Sequence, residues 1–282
     1  MRSRRRKIMI EQKGQLFFDP ETTGLNKKAI GEMVKERNEM LYPIALNHFY
    51  SLIPSIKNMI EGEMQWLKLE YTVPYFMDLC FRAKNNVYGV IFGQEINDGN
   101  IYFPLDLDVS IKKCEENDII PCVLVFDNNL DIVPLVDDKW CLIDAKSLFF
   151  SRELKAVIPD NDNSSVSFKA MGKWEEINNA IMAYVEDLRD KQEISDILYQ
   201  NYPGVDPSIC WIDKEGVFNW MMIRTMKENE EEPIFDQFIV DKLNSTGGKG
   251  HLSIALLSNP NTKVVLPRGE SVDIKMEIED LM

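Results

Sequence analysis

Residues 79–93, Leu-Cys-Phe-Arg-Ala-Lys-Asn-Asn-Val-Tyr-Gly-Val-Ile-Phe-Gly, and residues 209–223, Ile-Cys-Trp-Ile-Asp-Lys-Glu-Gly-Val-Phe-Asn-Trp-Met-Met-Ile, share one pattern, and the fold reading turns on it. Each is a short apolar run, a polar turn (Ala83 to Asn86; Asp213 to Gly216) and a returning apolar run, the signature of a β-hairpin. An offset of 130 residues sets Leu79-Cys80-Phe81 on Ile209-Cys210-Trp211 and then holds without a gap. Lys84 meets Lys214, Val87-Tyr88 meets Val217-Phe218, Asp106 meets Asp236, Lys112 meets Lys242, and Cys122, Leu124 and Phe126 meet Leu252, Ile254 and Leu256. Identities are few. The weight rests on matching apolar and turn positions, because a shared fold requires matching burial more than matching letters.

Working outward, each copy continues in the same way. A polar connection (97–100; 227–232) leads to a short amphipathic helix around 106–116 and 236–245, and a buried strand follows at 121–126 and 251–257. Near the end, Val272, Ile274, Met276 and Ile278 alternate with Asp273, Lys275, Glu277 and Glu279, the pattern of a strand with one buried face. Ahead of the second hairpin, Trp174, Ile177, Ile181, Tyr184, Val185 and Leu188 fall on one stripe of a helix, with Glu175, Glu176, Glu186 and Asp187 expected on the wet side. Ahead of the first, Ile30, Met33, Val34 and Leu41 form a weaker stripe with Asn26 as N-cap. Pro43 ends it and opens a second helix that runs until Pro54. The stretch 158–167 has loop composition. The expected organisation is a basic N-terminal arm over 1–25, a first module over 26–157, a linker over 158–170 and a second module over 171–282. The fold class is α+β, two similar modules each built as helix, β-hairpin, helix, strand, strand.

A chain of 282 residues with 45% hydrophobic and 28% charged residues has the composition of a folded protein. Asp and Glu number 46 against 32 Lys and Arg, a net charge of −14, so a phosphate backbone is repelled by the average surface and nucleic-acid binding is disfavoured. The exception is the head, where Arg2, Arg4, Arg5, Arg6 and Lys7 cluster, read as a solvated end that can touch nucleic acid or an acidic partner; Met9 offers a second start. No apolar core follows that head and no long uncharged apolar run occurs, which disfavours a secretory signal and a membrane span. Five cysteines, odd in number and without a C-x-x-C pair, point to reduced thiols and a cytoplasmic location.

Histidine is the informative scarcity. His48 and His251 are the only two, so sites needing several imidazoles cannot be built within one chain. The run Ser245-Thr246-Gly247-Gly248-Lys249-Gly250 departs from a phosphate loop, since no Ser or Thr follows Lys249 and the segment leads from helix to strand. It reads as a helix C-cap and turn. No G-x-G-x-x-G and no G-x-S-x-G occurs. Carboxylates are the one abundant reactive group. Asp106 and Asp108, with Glu95, Asp98, Lys84 and Lys112, would suit a metal-dependent hydrolase or nuclease in which carboxylates hold Mg²⁺ and a lysine orients water. No lysine stands two residues after Glu95, however, and Asp106 and Asp236 also suit matching helix N-caps. No cofactor or metal ligand set is assigned.

The run Glu228-Asn229-Glu230-Glu231-Glu232 raises the local negative potential and is the candidate partner-binding surface, joined by Asp137, Asp138 and Trp140. Trp66, Trp174, Trp211 and Trp220 lie in apolar patterns and are assigned to the core. The expected function is a non-enzymatic acidic binding protein that engages a basic protein partner, as an inhibitor, immunity-type factor or accessory subunit of a bacterial complex. The alternatives are the carboxylate hydrolase in the first module and a small-molecule sensor with an intermodule cleft.

Overall fold

The computed structural model describes residues 15–16, 64–68, 76–97, 100–103, 106–129, 131–136, 142–150, 153–157, 169–191, 194–261 and 265–281. The helices expected over 26–52, most of the linker, and Asp137, Asp138 and Trp140 lie outside them.

The molecule is a mixed α+β fold, mostly strands. The larger sheet runs β2 (Met64–Lys68), β3 (Leu79–Ala83), β4 (Asn86–Asn97), β6 (Ile119–Phe126), β7 (Leu142–Asp144) and β8 (Ala156–Val157), with β5 (Asn100–Tyr102) paired to the far end of β4. The second sheet runs β9 (Ile194–Tyr199), β11 (Ile209–Asp213), β12 (Phe218–Lys227), β13 (Lys249–Ser258) and β14 (Asp273–Leu281). A small parallel pair joins β1 (Gln15–Leu16), in the N-terminal arm, to β10 (Val205–Asp206). Four helices accompany the strands among the described residues: α1 (Leu107–Glu116), α2 (Ser147–Phe150), α3 (Lys173–Asp190) and α4 (Gln237–Asn244). None of them is long and apolar enough to cross a membrane.

Both expected hairpins are present. Each leads through a helix to a strand parallel to the second hairpin strand, β4 to β6 through α1 and β12 to β13 through α4. The helices start as their sequences require: Asp106 accepts from the Val109 N–H at 3.1 Å and Asp236 from the Phe238 N–H at 3.0 Å. A constant offset does not reproduce the pairing, however. Cys80 faces Gly89 and Gly89 faces Pro121, whereas Cys210 faces Trp220 and Trp220 faces Gly250, so the positions that pair differ between the two sheets by 130, 131 and 129 residues. The turns supply part of the reason. Ala83 pairs Asn86 across two residues, while the Asp213 N–H reaches the Val217 carbonyl across three, with Gly216 at φ 80° in the left-handed position such a turn needs. With those offsets the buried faces agree: Cys80, Val87 and Ile91 pack with α1, and Cys210, Phe218 and Met222 with α4.

Helix α3 ties the halves together. Ile177, Ile181, Val185 and Leu188 cover Ile209, Trp211, Met221 and Ile223 of the second sheet. Its first turn instead sends Trp174, fully buried, into the core of the first sheet beside Val87, Ile91 and Cys114. The helix start approaches the end of α1 so closely that a Cβ on Gly172 would lie 2.8 Å from the Asn117 carbonyl oxygen. Wedged in this way, the first turn keeps only Lys173 in solvent. Glu186 and Asp187 are exposed as expected, but Glu175 and Glu176 are 4% and 2% exposed, which corrects the expected solvent face.

Candidate functional site

The acidic run connects β12 to α4, and Glu228, Glu230, Glu231 and Glu232 are all exposed. One of the four also serves the fold. The Glu230 carboxylate accepts from the Lys227 N–H at 3.0 Å and pairs with the Lys227 ammonium at 3.3 Å. Partial burial pushes its pKa up, but the Lys227 N–H and ammonium outweigh that and hold it below the ordinary range. Lys227 in turn reaches the buried Glu176 at 2.7 Å, anchoring the loop root to α3. Beyond Pro233, Ile234 is 89% exposed and Phe238, in the first turn of α4, is 64% exposed, with the Lys242 ammonium 5.2 Å from the Phe238 ring centre. Large apolar side chains standing this far into water beside a row of carboxylates make a surface with an apolar centre and an acidic border.

Of the other predicted groups, Asp98 lies outside the described residues and the rest are dispersed. Lys84 sits in the hairpin turn before β4 and Glu95 near the far end of that strand, roughly 30 Å away at about 3.3 Å per residue, so Lys84 cannot orient a water on an ion held by Glu95. Lys112 pairs with Glu116 at 3.9 Å, and Asp106 is committed to its cap. Among the described residues no three His, Cys, Asp or Glu side chains gather around one point. His251 is the third residue of β13, stacks on Trp211 with ring centres 5.2 Å apart and bonds Asp280 at 2.6 Å. Gly247 takes φ 75° after α4, the turn expected there. Trp174, Trp211 and Trp220 are buried, and Trp66 is half-buried against Phe81.

Two features were not anticipated from the sequence, and a third bears on the intermodule cleft considered there. First, Arg268, with a fully buried side chain, donates twice to Glu175 at 2.8 and 2.5 Å, to Asp118 at 2.9 Å and to the Asn85 carbonyl at 3.2 Å. Second, Lys68 is buried at the end of β2 and donates to the Met77 and Asp78 carbonyls at 2.6 and 3.1 Å. Burial lowers its pKa to about 8, and burial raises that of neighbouring Asp78 to about 6 although the Phe92 N–H bonds its carboxylate at 2.7 Å. Third, a cleft runs between β2 and α3. Its larger part, about 380 Å³, is bounded by Gln65, Trp66, Met182, Glu186, Glu270 and Ile274, and a second part of about 260 Å³ continues past Lys68 to Tyr199. Its walls mix polar and apolar side chains. On α3 the cleft is lined by Asn178, Met182 and Glu186, none of which belongs to the apolar stripe read from the sequence.

Comparison of the chain with protein-family models, with curated proteins and with solved structures returns no match.

Proposed function

We propose that the chain is a non-enzymatic acidic binding protein that engages a basic protein partner, as an inhibitor, immunity-type factor or accessory subunit of a bacterial complex. The observation that carries this reading is the placing of Ile234 and Phe238, both far into solvent, beside the exposed Glu228, Glu230, Glu231 and Glu232. The carboxylates would steer a basic partner toward the surface and the two apolar side chains would hold it, the usual division between association rate and contact energy. The four described cysteines are free and buried, and burial pushes the Cys114 thiol up to about 12, consistent with a reducing, cytoplasmic setting. We also read the two sheets as copies of one ancestral unit, supported by the shared run of hairpin, Asp-capped helix and parallel strand.

The test compares two baits in lysate of the source organism at low salt: the native chain and a Glu231→Lys/Glu232→Lys/Ile234→Asp variant, all at exposed positions. The expected result is a basic protein held by the native bait, released as salt is raised and lost with the variant. An empty native bait, or a captured protein held equally by both baits, overturns the proposal.

A further inference from the structure

We propose that the outer edge of β14 takes an extended strand of a partner protein, in which basic residues alternate with apolar ones. Strand β13 lies between this edge and β12, whose end carries the acidic loop, so the surface is distinct from the loop and stands without it. Among the described residues β14 pairs with β13 alone, from Asp273 opposite Ser258 to Leu281 opposite Gly250, with no shift of register. Its other border therefore presents backbone N–H and C=O groups in a regular row, and none of its nine residues is buried. The outermost strands β2, β8 and β9 have five, two and six residues and offer shorter rows. The run contains no proline and no bulge, two backbone devices that commonly close such an edge.

What guards this edge is charge of one sign. Asp273, Glu277, Glu279 and Asp280 stand against Lys275. Lys275 is taken up by Glu277 at 3.1 Å and Asp280 bonds His251 at 2.6 Å, which leaves Asp273 and Glu279 exposed without a basic partner among the described residues. Carboxylates turn away acidic strands only; a basic strand is drawn in by the same groups. The two faces of β14 supply the alternation. Asp273, Lys275, Glu277 and Glu279 share one face, whereas Ile274 and Met276 lie on the other and pack with the α3 cluster. Ile278 continues that second row and is 46% exposed. A strand added about 4.8 Å away sets its side chains roughly 5 Å from those of β14, so alternate residues meet carboxylates on one face and Ile274, Met276 and Ile278 on the other.

The probe is a fluorescent synthetic peptide that alternates Lys with Val over the length of β14. It is added to the full chain at low salt and followed by anisotropy and by hydrogen exchange read by mass spectrometry. The expected result is saturable binding with amide exchange in 273–281 slowed by about tenfold or more, because outward-facing N–H groups gain partners. Glu277→Lys/Glu279→Lys, at exposed positions, weakens binding by about tenfold or more, and the Glu231→Lys/Glu232→Lys/Ile234→Asp variant leaves it unchanged. Absence of saturable binding overturns the proposal, as does binding that leaves exchange in 273–281 unaltered, or equal affinity for a peptide of the same composition with its lysines in one block. Binding lost with the loop variant but kept with Glu277→Lys/Glu279→Lys would assign the peptide to the acidic loop, overturning this proposal and leaving the reading of that loop intact.

Discussion

Lys68 and Asp78 are buried charges on one side of the first sheet, and both are displaced toward their neutral forms by loss of water. For Asp78 the folded value near 6 exceeds the ordinary 3.8, so the native state holds the proton more tightly than the unfolded chain. Its contribution is present below 3.8 and lost as pH rises through about 6. For Lys68 the folded value near 8 lies below 10.5, so the native state releases the proton first, and stability from this group is regained as pH rises from about 8 toward 10.5. At about 1.4 kcal/mol per unit, each displacement is worth on the order of 3 kcal/mol. Urea titrations of the native chain and Asp78→Asn across pH 4 to 8 should differ: the native chain loses stability relative to the variant between about 4 and 6, and parallel curves would contradict this. Neither residue was legible in the sequence, because burial of a lysine at a strand end depends on what packs over it and not on its neighbours along the chain.

Local chemistry made the secondary elements readable. The hairpins announce themselves by polar turns between apolar runs, and α1 and α4 by an aspartate ahead of an amphipathic stretch; the structure starts each helix one residue after that aspartate. Replacing either Asp106 or Asp236 by Ala should lower stability by about 1 kcal/mol, measured by urea unfolding, and Asn at the same site should recover most of it. The register of the strands was less legible. One extra turn residue slides β12 against β11, and a single position decides which face a side chain occupies. Helix α3 shows the same limit from another side. Its spacing predicts the stripe over the second sheet, but the burial of Glu175 rests on Arg268, 93 residues further on, and no local pattern encodes a partner at that distance. The cleft is non-local for the same reason, since its walls come from β2, α3 and the segment around Glu270.

At the scale of the molecule, the two sheets are joined by side-chain contacts. Trp174 fills the core of the first sheet from a helix that covers the second, Arg268 bridges Glu175 to Asp118 and Asn85, Lys169 bonds Asn86 at 2.8 Å, and Lys113 sits 4.2 Å from the Tyr202 ring centre. Calorimetry should therefore show one cooperative transition for the described body. Arg268→Ala, which leaves Glu175 buried without its partner, should cost about 3–5 kcal/mol, and Arg268→Ala with Glu175→Gln should cost less than Arg268→Ala alone. Two separate transitions in the native chain would contradict this. A last consequence concerns crowding. Strand β14 is nine residues long, pairs regularly with β13 and is outermost in its sheet among the described residues, the geometry from which proteins zip together side by side. It carries Asp273, Glu277, Glu279 and Asp280 against a lone Lys275, so two such borders brought together would repel, which opposes pairing of copies along this edge at neutral pH.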